Sequence, residues 1–270
     1  MAIGLAKKDA TVIIICRSAE KAQKAAEFIR QITGSQKIFC YNADLGVQND
    51  IKLVTKEITG AFDRIDVLIN NAACVTSTLE FTVDGVEKQL AVNHVAPFLL
   101  THYLLPLITK SADGRIINVN SRAHGRGTMH FDDLFLQKGY NISVAYNQSK
   151  LANMLFTYAL ANKLETTGIS VNAFHPGLVN TAFGVKGVSA LHKFAWVIIS
   201  KLGRSAKVAA EDGIYLALDE KLKNITGKYF HNKQPISSSA LSYNNVWAEK
   251  LWAVTLQWTK LKADGYGKVS

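Results

Sequence analysis

Short apolar runs alternate with long helix-patterned segments along most of this chain, and this feature restricts the fold more than any other. Thr11 to Cys16, Lys37 to Tyr41, Val67 to Asn70, Arg115 to Val119 and Ser170 to Phe174 read as strands, with Lys228 to Phe230 as a short last one. Between them, helical spacing covers Ala19 to Ile32, Val47 to Phe62, Val83 to Ile108 and Val144 to Thr166. Ala206 to Leu218 and Val246 to Leu261 continue the pattern, and Pro97 marks a bend in the longest helix. Continuous β-branched runs suit strands buried on both faces, and helices between strands make a parallel sheet with helices on both sides. The chain is therefore α/β. Ligands of such sheets bind at the carboxyl ends of the strands, so the loops after the strands carry the chemistry.

Composition narrows the class. No linker, repeat or low-complexity tract interrupts the 270 residues, which read as a single domain, 1–270. The net charge of +10 comes from basic residues scattered along the chain. Scattered charge describes a solvated surface, and no basic run with interleaved aromatics marks a nucleic-acid groove. Cys16, Cys40 and Cys74 are odd in number and lie in or beside apolar runs, which fits buried thiols of a reducing, cytoplasmic setting. No metal-ligand spacing joins them to the seven His. No stretch reaches about 18 uninterrupted apolar residues; Phe194 to Ser200 is far shorter.

The strand ends hold the candidates. Arg17 follows the first run, where an Asp or Glu selects NAD through both ribose hydroxyls and an Arg meets the 2′-phosphate of NADP. A surface Arg capping a strand is the equal alternative. Asp44 and Leu45 follow the second run, and Asn70-Asn71-Ala72-Ala73 follows the third. Paired Asn amides can tie neighbouring strands, and the small Ala pair lets a flat ligand approach the backbone. Ser121 stands after the fourth run and His175-Pro176-Gly177 after the fifth, with Thr181 beyond; His175 reads as a structural hydrogen bonder. Tyr146 and Lys150 are i and i+4 on one helix face. An ammonium near a phenol lowers its pKa and fits it for proton transfer. Tyr-x-x-x-Lys alone is weak, since about one match arises by chance in a chain of this make-up. A second, Tyr229 to Lys233, sits where a strand breaks toward Pro235. The Tyr146 pair differs in its helix placement and in having a strand-end Ser upstream.

In order, ICRS, NADL, INNAA, AVNHVAPFLLT, RIINVNSRAH, YNQSKLANMLFTYALA and VNAFHPGLVNT resemble the short-chain dehydrogenase/reductase family, in its retinol-dehydrogenase-like and WW-domain oxidoreductase-like branch. The resemblance runs from about Ile14 to Thr181 and implies a Rossmann-type doubly wound parallel sheet. It also implies a catalytic tetrad of Asn93, Ser121, Tyr146 and Lys150. By resemblance, Tyr146 exchanges a proton with the substrate oxygen, Ser121 hydrogen-bonds that oxygen, Lys150 lowers the Tyr pKa and holds the nicotinamide ribose, and Asn93 keeps a relay water. Arg17, Asp44, Leu45, Asn71, Ala72, Tyr146, Lys150, Pro176, Gly177 and Thr181 become cofactor contacts, with NADP expected over NAD. The segment 188–202 takes the place of a substrate lid, against a core or dimer helix as its alternative, and 243–270 that of a C-terminal helix and tail.

Departures from the pattern set the competing expectations. Ala73 stands where the family usually has Gly, and Asn120 where the branch often has Ser. Met1 to Lys8 matches the far end of the family's first helix, without the strand and Gly-rich turn that come before it, so the chain reads as N-terminally truncated. Such a loss leaves two strands with unpaired backbone and opens an apolar slot. The leading expectation is an NADP-preferring oxidoreductase acting on a small lipophilic alcohol, aldehyde or ketone, retinoid-like or steroid-like. The alternative is a catalytically impaired isoform or fragment acting as an interaction or regulatory protein. Peripheral membrane contact through Trp247, Trp252 and Trp258 and homodimer formation stay open; those Trp residues serve equally well for packing on the domain.

Overall fold

In the computed structural model, which describes residues 1–177 and 205–262, the apolar runs become strands and the periodic segments become helices. Helix α1 (Ala2–Ala6) leads into strand β1 (Val12–Cys16). Ser18 then caps helix α2 (Ala19–Thr33) by accepting from Lys21 N–H, and Gly34, at φ 72°, ends it in the left-handed conformation that glycine adopts without strain. Strand β2 (Ile38–Asn42), helix α3 (Gln48–Ala61) and strand β3 (Val67–Asn70) follow.

The long helix is segmented. Glu87 caps its start, α4 (Lys88–Leu90), and its carboxylate accepts from Gln89 and Leu90 N–H. A π-helical turn, Ala91–Val95, comes next, then α5 (Ala96–Ile108). The helix therefore begins later than its periodicity suggests, and the irregularity precedes Pro97, whose missing N–H suits the first turn of α5. This 21-residue stretch is apolar and long enough to cross a membrane by composition, yet 78% of its most apolar window is buried inside the fold, as a core helix is.

Strand β4 (Arg115–Val119), helix α6 (Ile142–Lys163) and strand β5 (Ser170–Phe174) form the centre of the molecule. Beyond them lie α7 (Ala206–Leu218), β6 (Lys228–His231), β7 (Gln234–Ile236) and α8 (Asn245–Thr259). The β6–β7 hairpin is antiparallel, and its turn residues Asn232 and Lys233 have φ 53° and 61°. Tyr229 is thus in a strand and Lys233 in a turn, so the second Tyr-x-x-x-Lys is no helix pair.

The sheet is in two parts. β1 pairs with β2 in parallel; β3, β4, β5 and β6 form a parallel set that β7 extends. No ladder joins β1 to β3. Every residue of β5 is buried, whereas β1 and β3 are mostly half-buried. Between their unpaired edges runs the slot that the sequence foretold, part of a cavity of about 2380 Å³ whose walls include Ile13, Ile15, Val67 and Ile69.

The main core lies where α3, α5, α6 and α8 meet, around Phe98, Leu151, Leu155 and Phe156. The tryptophans of α8 belong to it or pack against it. The Trp252 ring lies 4.9 Å from that of Phe98, Trp247 packs on Phe131 and Trp258 on Phe135. They hold α8 to the domain, Trp252 buried and Trp247 and Trp258 half-buried. All three cysteines are free and half-buried, not fully buried as their apolar surroundings suggest. The lid segment 188–202, Thr181 and the tail 263–270 lie outside the described residues.

Candidate active site

Asn141 sets the start of α6. Its side chain accepts from Ser143 and Val144 N–H, which starts the helix just before Tyr146. Helical spacing then puts Tyr146, Lys150, Asn153 and Thr157 along one side of a helix that is otherwise mostly apolar. Ser121 follows the carboxyl end of β4 and caps a 3₁₀ turn, Arg122–Arg126, by accepting from Ala123 N–H at 3.2 Å. The turn packs against α6, and the Ser121 hydroxyl hydrogen-bonds the Tyr146 phenol.

Lys150 is buried. Its Nζ donates to the Val119 carbonyl at 3.2 Å and lies 5.8 Å from the centroid of the Tyr146 ring. Burial pulls the Lys150 ammonium down to about 8, with nearby Cys74 acting in the opposite direction. Burial pushes the Tyr146 phenol up to about 12, and the Ser121 hydrogen bond draws it partly back. Desolvation of the phenol outweighs every other influence, and the group that relieves it is Ser121. Cys74, close to both, is itself pushed up to about 12 by burial and stays a thiol at neutral pH.

Asn93 occupies the π turn, a distortion that recurs at functional sites. Its Oδ1 accepts from Cys74 N–H at 2.8 Å, and its Nδ2 donates to the Cys74 carbonyl at 3.0 Å and to Ser149 Oγ at 2.9 Å. These bonds brace the loop after β3 against α6.

The remaining candidates divide in two. Leu45, Asn71, Ala72, Pro176 and Gly177 line the same cavity as Ser121, Tyr146 and Lys150. Gly177 has φ 78°, a conformation costly for other residues, and this lets the chain turn along the cavity wall. Arg17 and Asp44 do not line it. They face each other at the ends of β1 and β2, 4.0 Å apart and well exposed, and Asp44 also accepts from Gly46 N–H. His175 takes the structural part assigned to it: Nδ1 accepts from Gly177 N–H and the ring stacks on His231 at 4.0 Å. These wall residues fit the nicotinamide and ribose end of a dinucleotide, since backbone, small side chains and a buried ammonium converge there. Among the described residues no cluster of His, Cys, Asp and Glu is placed to hold a metal.

A buried ladder of amides lies behind these groups. Asn70 Nδ2 donates to Asn118 Oδ1 at 2.8 Å, which joins the ends of β3 and β4 as paired amides do. Asn118 Nδ2 donates to Thr157 Oγ1, and Thr157 Oγ1 donates to the Asn153 carbonyl. Asn120 and Asn153 were not among the candidates. The signal for Asn153 was its spacing of seven from Tyr146, which extends the polar stripe of α6; Asn120 showed only as a departure from the branch.

Comparison with known proteins agrees with this geometry. The family model described as short chain dehydrogenase matches residues 1–190. Human retinol dehydrogenase 13 is 36% identical over 267 residues, covering 97% of this chain and 81% of its own length. Bovine retinol dehydrogenase 12 is 36% identical over 253 residues, covering 94% and 79%. Among solved structures, an uncharacterized protein from Mycobacterium Paratuberculosis superposes with a TM-score of 0.70 at 26% identity, covering 97% of this chain and 91% of the other. A short chain dehydrogenase from Escherichia coli CFT073, complexed with NADPH, reaches 0.65 at 24% identity, covering 85% and 89%, and shares the fold.

Proposed function

The chain belongs to the short-chain dehydrogenase family of NAD(P)-dependent oxidoreductases, and we propose that within it this protein moves a hydride between NADP and a lipophilic, retinoid-like or steroid-like alcohol, aldehyde or ketone. The observation that carries the reading is that Ser121, Tyr146 and Lys150 share one cavity wall with Asn71, Ala72, Pro176 and Gly177. The retinol dehydrogenases among its relatives support the substrate class. Arg17, just after β1 and with no carboxylate in its place, supports a preference for a 2′-phosphate.

A bound nicotinamide supplies or takes up the hydride at the carbon of the substrate. In the reductive direction Tyr146 gives its proton to the carbonyl oxygen, which becomes the alcohol hydroxyl, and the phenolate regains a proton from solvent. Ser121 holds that oxygen within reach of the phenol. Lys150 keeps its positive charge below about pH 8, where it stabilises the phenolate and binds ribose hydroxyls. A phenol at about 12 is a weak acid in this setting, so positive charge beside it favours proton release.

The split sheet favours a second reading, a fold that binds partners without turnover. One experiment separates the two. Nicotinamide fluorescence follows NADPH, with NADH as comparison, titrated into the purified chain, and retinaldehyde reduction is then measured in the wild type and in Tyr146→Phe. Saturable binding that favours NADPH is expected, with turnover lowered about 10²- to 10⁴-fold in Tyr146→Phe while saturable NADPH binding persists. A folded chain that binds neither nucleotide sinks the enzyme reading.

A further inference from the structure

Asn120 and Asn153 are almost wholly buried, at 3% and 2% exposure, and each has its amide spent on the backbone of a different part of the site. Asn153 Nδ2 donates to the Asn93 carbonyl at 3.0 Å, and Asn153 Oδ1 accepts from Asn120 Nδ2 at 3.1 Å. The same Asn120 nitrogen donates to the Lys150 carbonyl at 3.2 Å, and Asn120 Oδ1 accepts from Ser121 N–H at 2.7 Å. Asn120 is itself anchored through its own N–H, which donates to the Phe174 carbonyl of β5 at 2.7 Å.

We propose that Asn120 and Asn153 form a clamp of two interlocked amides that sets the positions of Ser121, Lys150 and Asn93 relative to one another, making both of them positioning residues for proton transfer at Tyr146. The proposal rests on the oxidoreductase reading of the site.

The chemistry of the amides admits one arrangement. A carbonyl only accepts, so Asn153 must turn its nitrogen to Asn93 and its oxygen to Asn120. Asn120 must then present nitrogen to Asn153, whose oxygen needs a donor, and its second N–H reaches Lys150. Its oxygen remains for the Ser121 N–H. Reversing either amide sets oxygen against oxygen in a place almost closed to solvent. Such groups specify a single geometry when all are satisfied and cost heavily when one is not. Packing alone does not require them, since Leu151, Met154 and Leu155 fill the neighbouring positions of α6 with apolar side chains. What the pair adds is a link between three segments far apart in sequence: the end of β4, the middle of α6 and the π turn. The serine usual in this branch at position 120 is shorter and carries a single donor, so it cannot span the same three contacts.

Two measurements test the clamp. The first needs neither cofactor nor substrate: amide hydrogen exchange at Ser121 in the wild type, Asn120→Ser, Asn120→Ala and Asn153→Ala. Faster exchange at Ser121 in both Asn120 variants, with unchanged protection in β5, is the expected result. Exchange at Ser121 equal to wild type in Asn120→Ser overturns the proposal, whatever the turnover. The second is steady-state reduction of retinaldehyde with NADPH. The kcat of Asn120→Ala is expected to fall between about tenfold and 100-fold, as a displacement of about 1 Å at a reacting group does, with both KM values kept within about threefold. The double variant is expected to match the worse single variant, because the two amides act as one unit. An unchanged kcat, a loss carried by KM, or additive losses overturn the proposal. If the wild type binds nucleotide but turns over nothing, the oxidoreductase reading falls and the exchange measurement alone decides the clamp.

Discussion

The half of the molecule built on β4, β5 and α6 and the half built on β1 and β2 handle the same problem differently. In the first, each strand is paired on both sides and the polar groups behind the site are bonded to one another through buried amides. In the second, β1 is paired on one side only, and its chief polar feature is an exposed Arg–Asp pair at 4.0 Å. Exposed pairs of that kind contribute little. The candidate proton-transfer groups therefore sit in surroundings that over-determine their positions, whereas the candidate reader of the cofactor phosphate stands on a side chain free to adjust.

The contrast breaks first on packing. Ile117 is 1% exposed in β4, whereas Ile15 is half-buried in β1 at the slot. Ile117→Ala is expected to cost about 2–5 kcal/mol and Ile15→Ala about 1 kcal/mol by urea unfolding. Equal costs would mean that the two halves are not unequal after all.

Charge sharpens the contrast next. The pKa of Lys150 is lowered by burial to about 8 from 10.5, so folding disfavours its charged form. The penalty is full below pH 8, where folded and unfolded chains both carry the proton. It fades as pH rises toward 10.5, where the unfolded chain loses it too. Lys150→Met is therefore expected to stabilise the chain at pH 7 by up to about 3 kcal/mol, less the lost bond to the Val119 carbonyl, while ending turnover. That advantage should shrink at pH 10. Thermal unfolding at the two pH values checks it, and a gain that does not depend on pH would refute burial of the ammonium as its cause. Turnover of the wild type should fall as pH passes about 8, when Lys150 loses its charge.

The smallest effect is on the exposed side. Arg17→Ala is expected to weaken NADPH binding about tenfold, or about 1.4 kcal/mol, and to leave NADH binding unchanged. A parallel loss for both nucleotides would make Arg17 a general charge rather than a phosphate reader.

Much of this site is legible along the chain. Tyr146 and Lys150 share a face because helical spacing is local, and Ser121 lies at a strand end because β4 announces itself by its composition. Asn70 read as a tie between strands and is one. The π turn around Asn93 was not legible, since apolar spacing blurs over a single widened turn. Nor was β7, a three-residue edge strand recognisable only through its partner.

Local patterns thus determined the class of fold, the order of its elements and the candidate residues for proton transfer, because periodicity and turn chemistry act over a few neighbours. The tertiary structure decided what those residues have become. Burial, which no sequence window measures, raised the Tyr146 phenol and lowered the Lys150 ammonium. Contacts between segments dozens of residues apart turned Asn93 into a brace, joined Asn120 to Asn153 and drew Trp252 of α8 inward. Those outcomes depend on which surfaces meet, and only the folded chain brings them together.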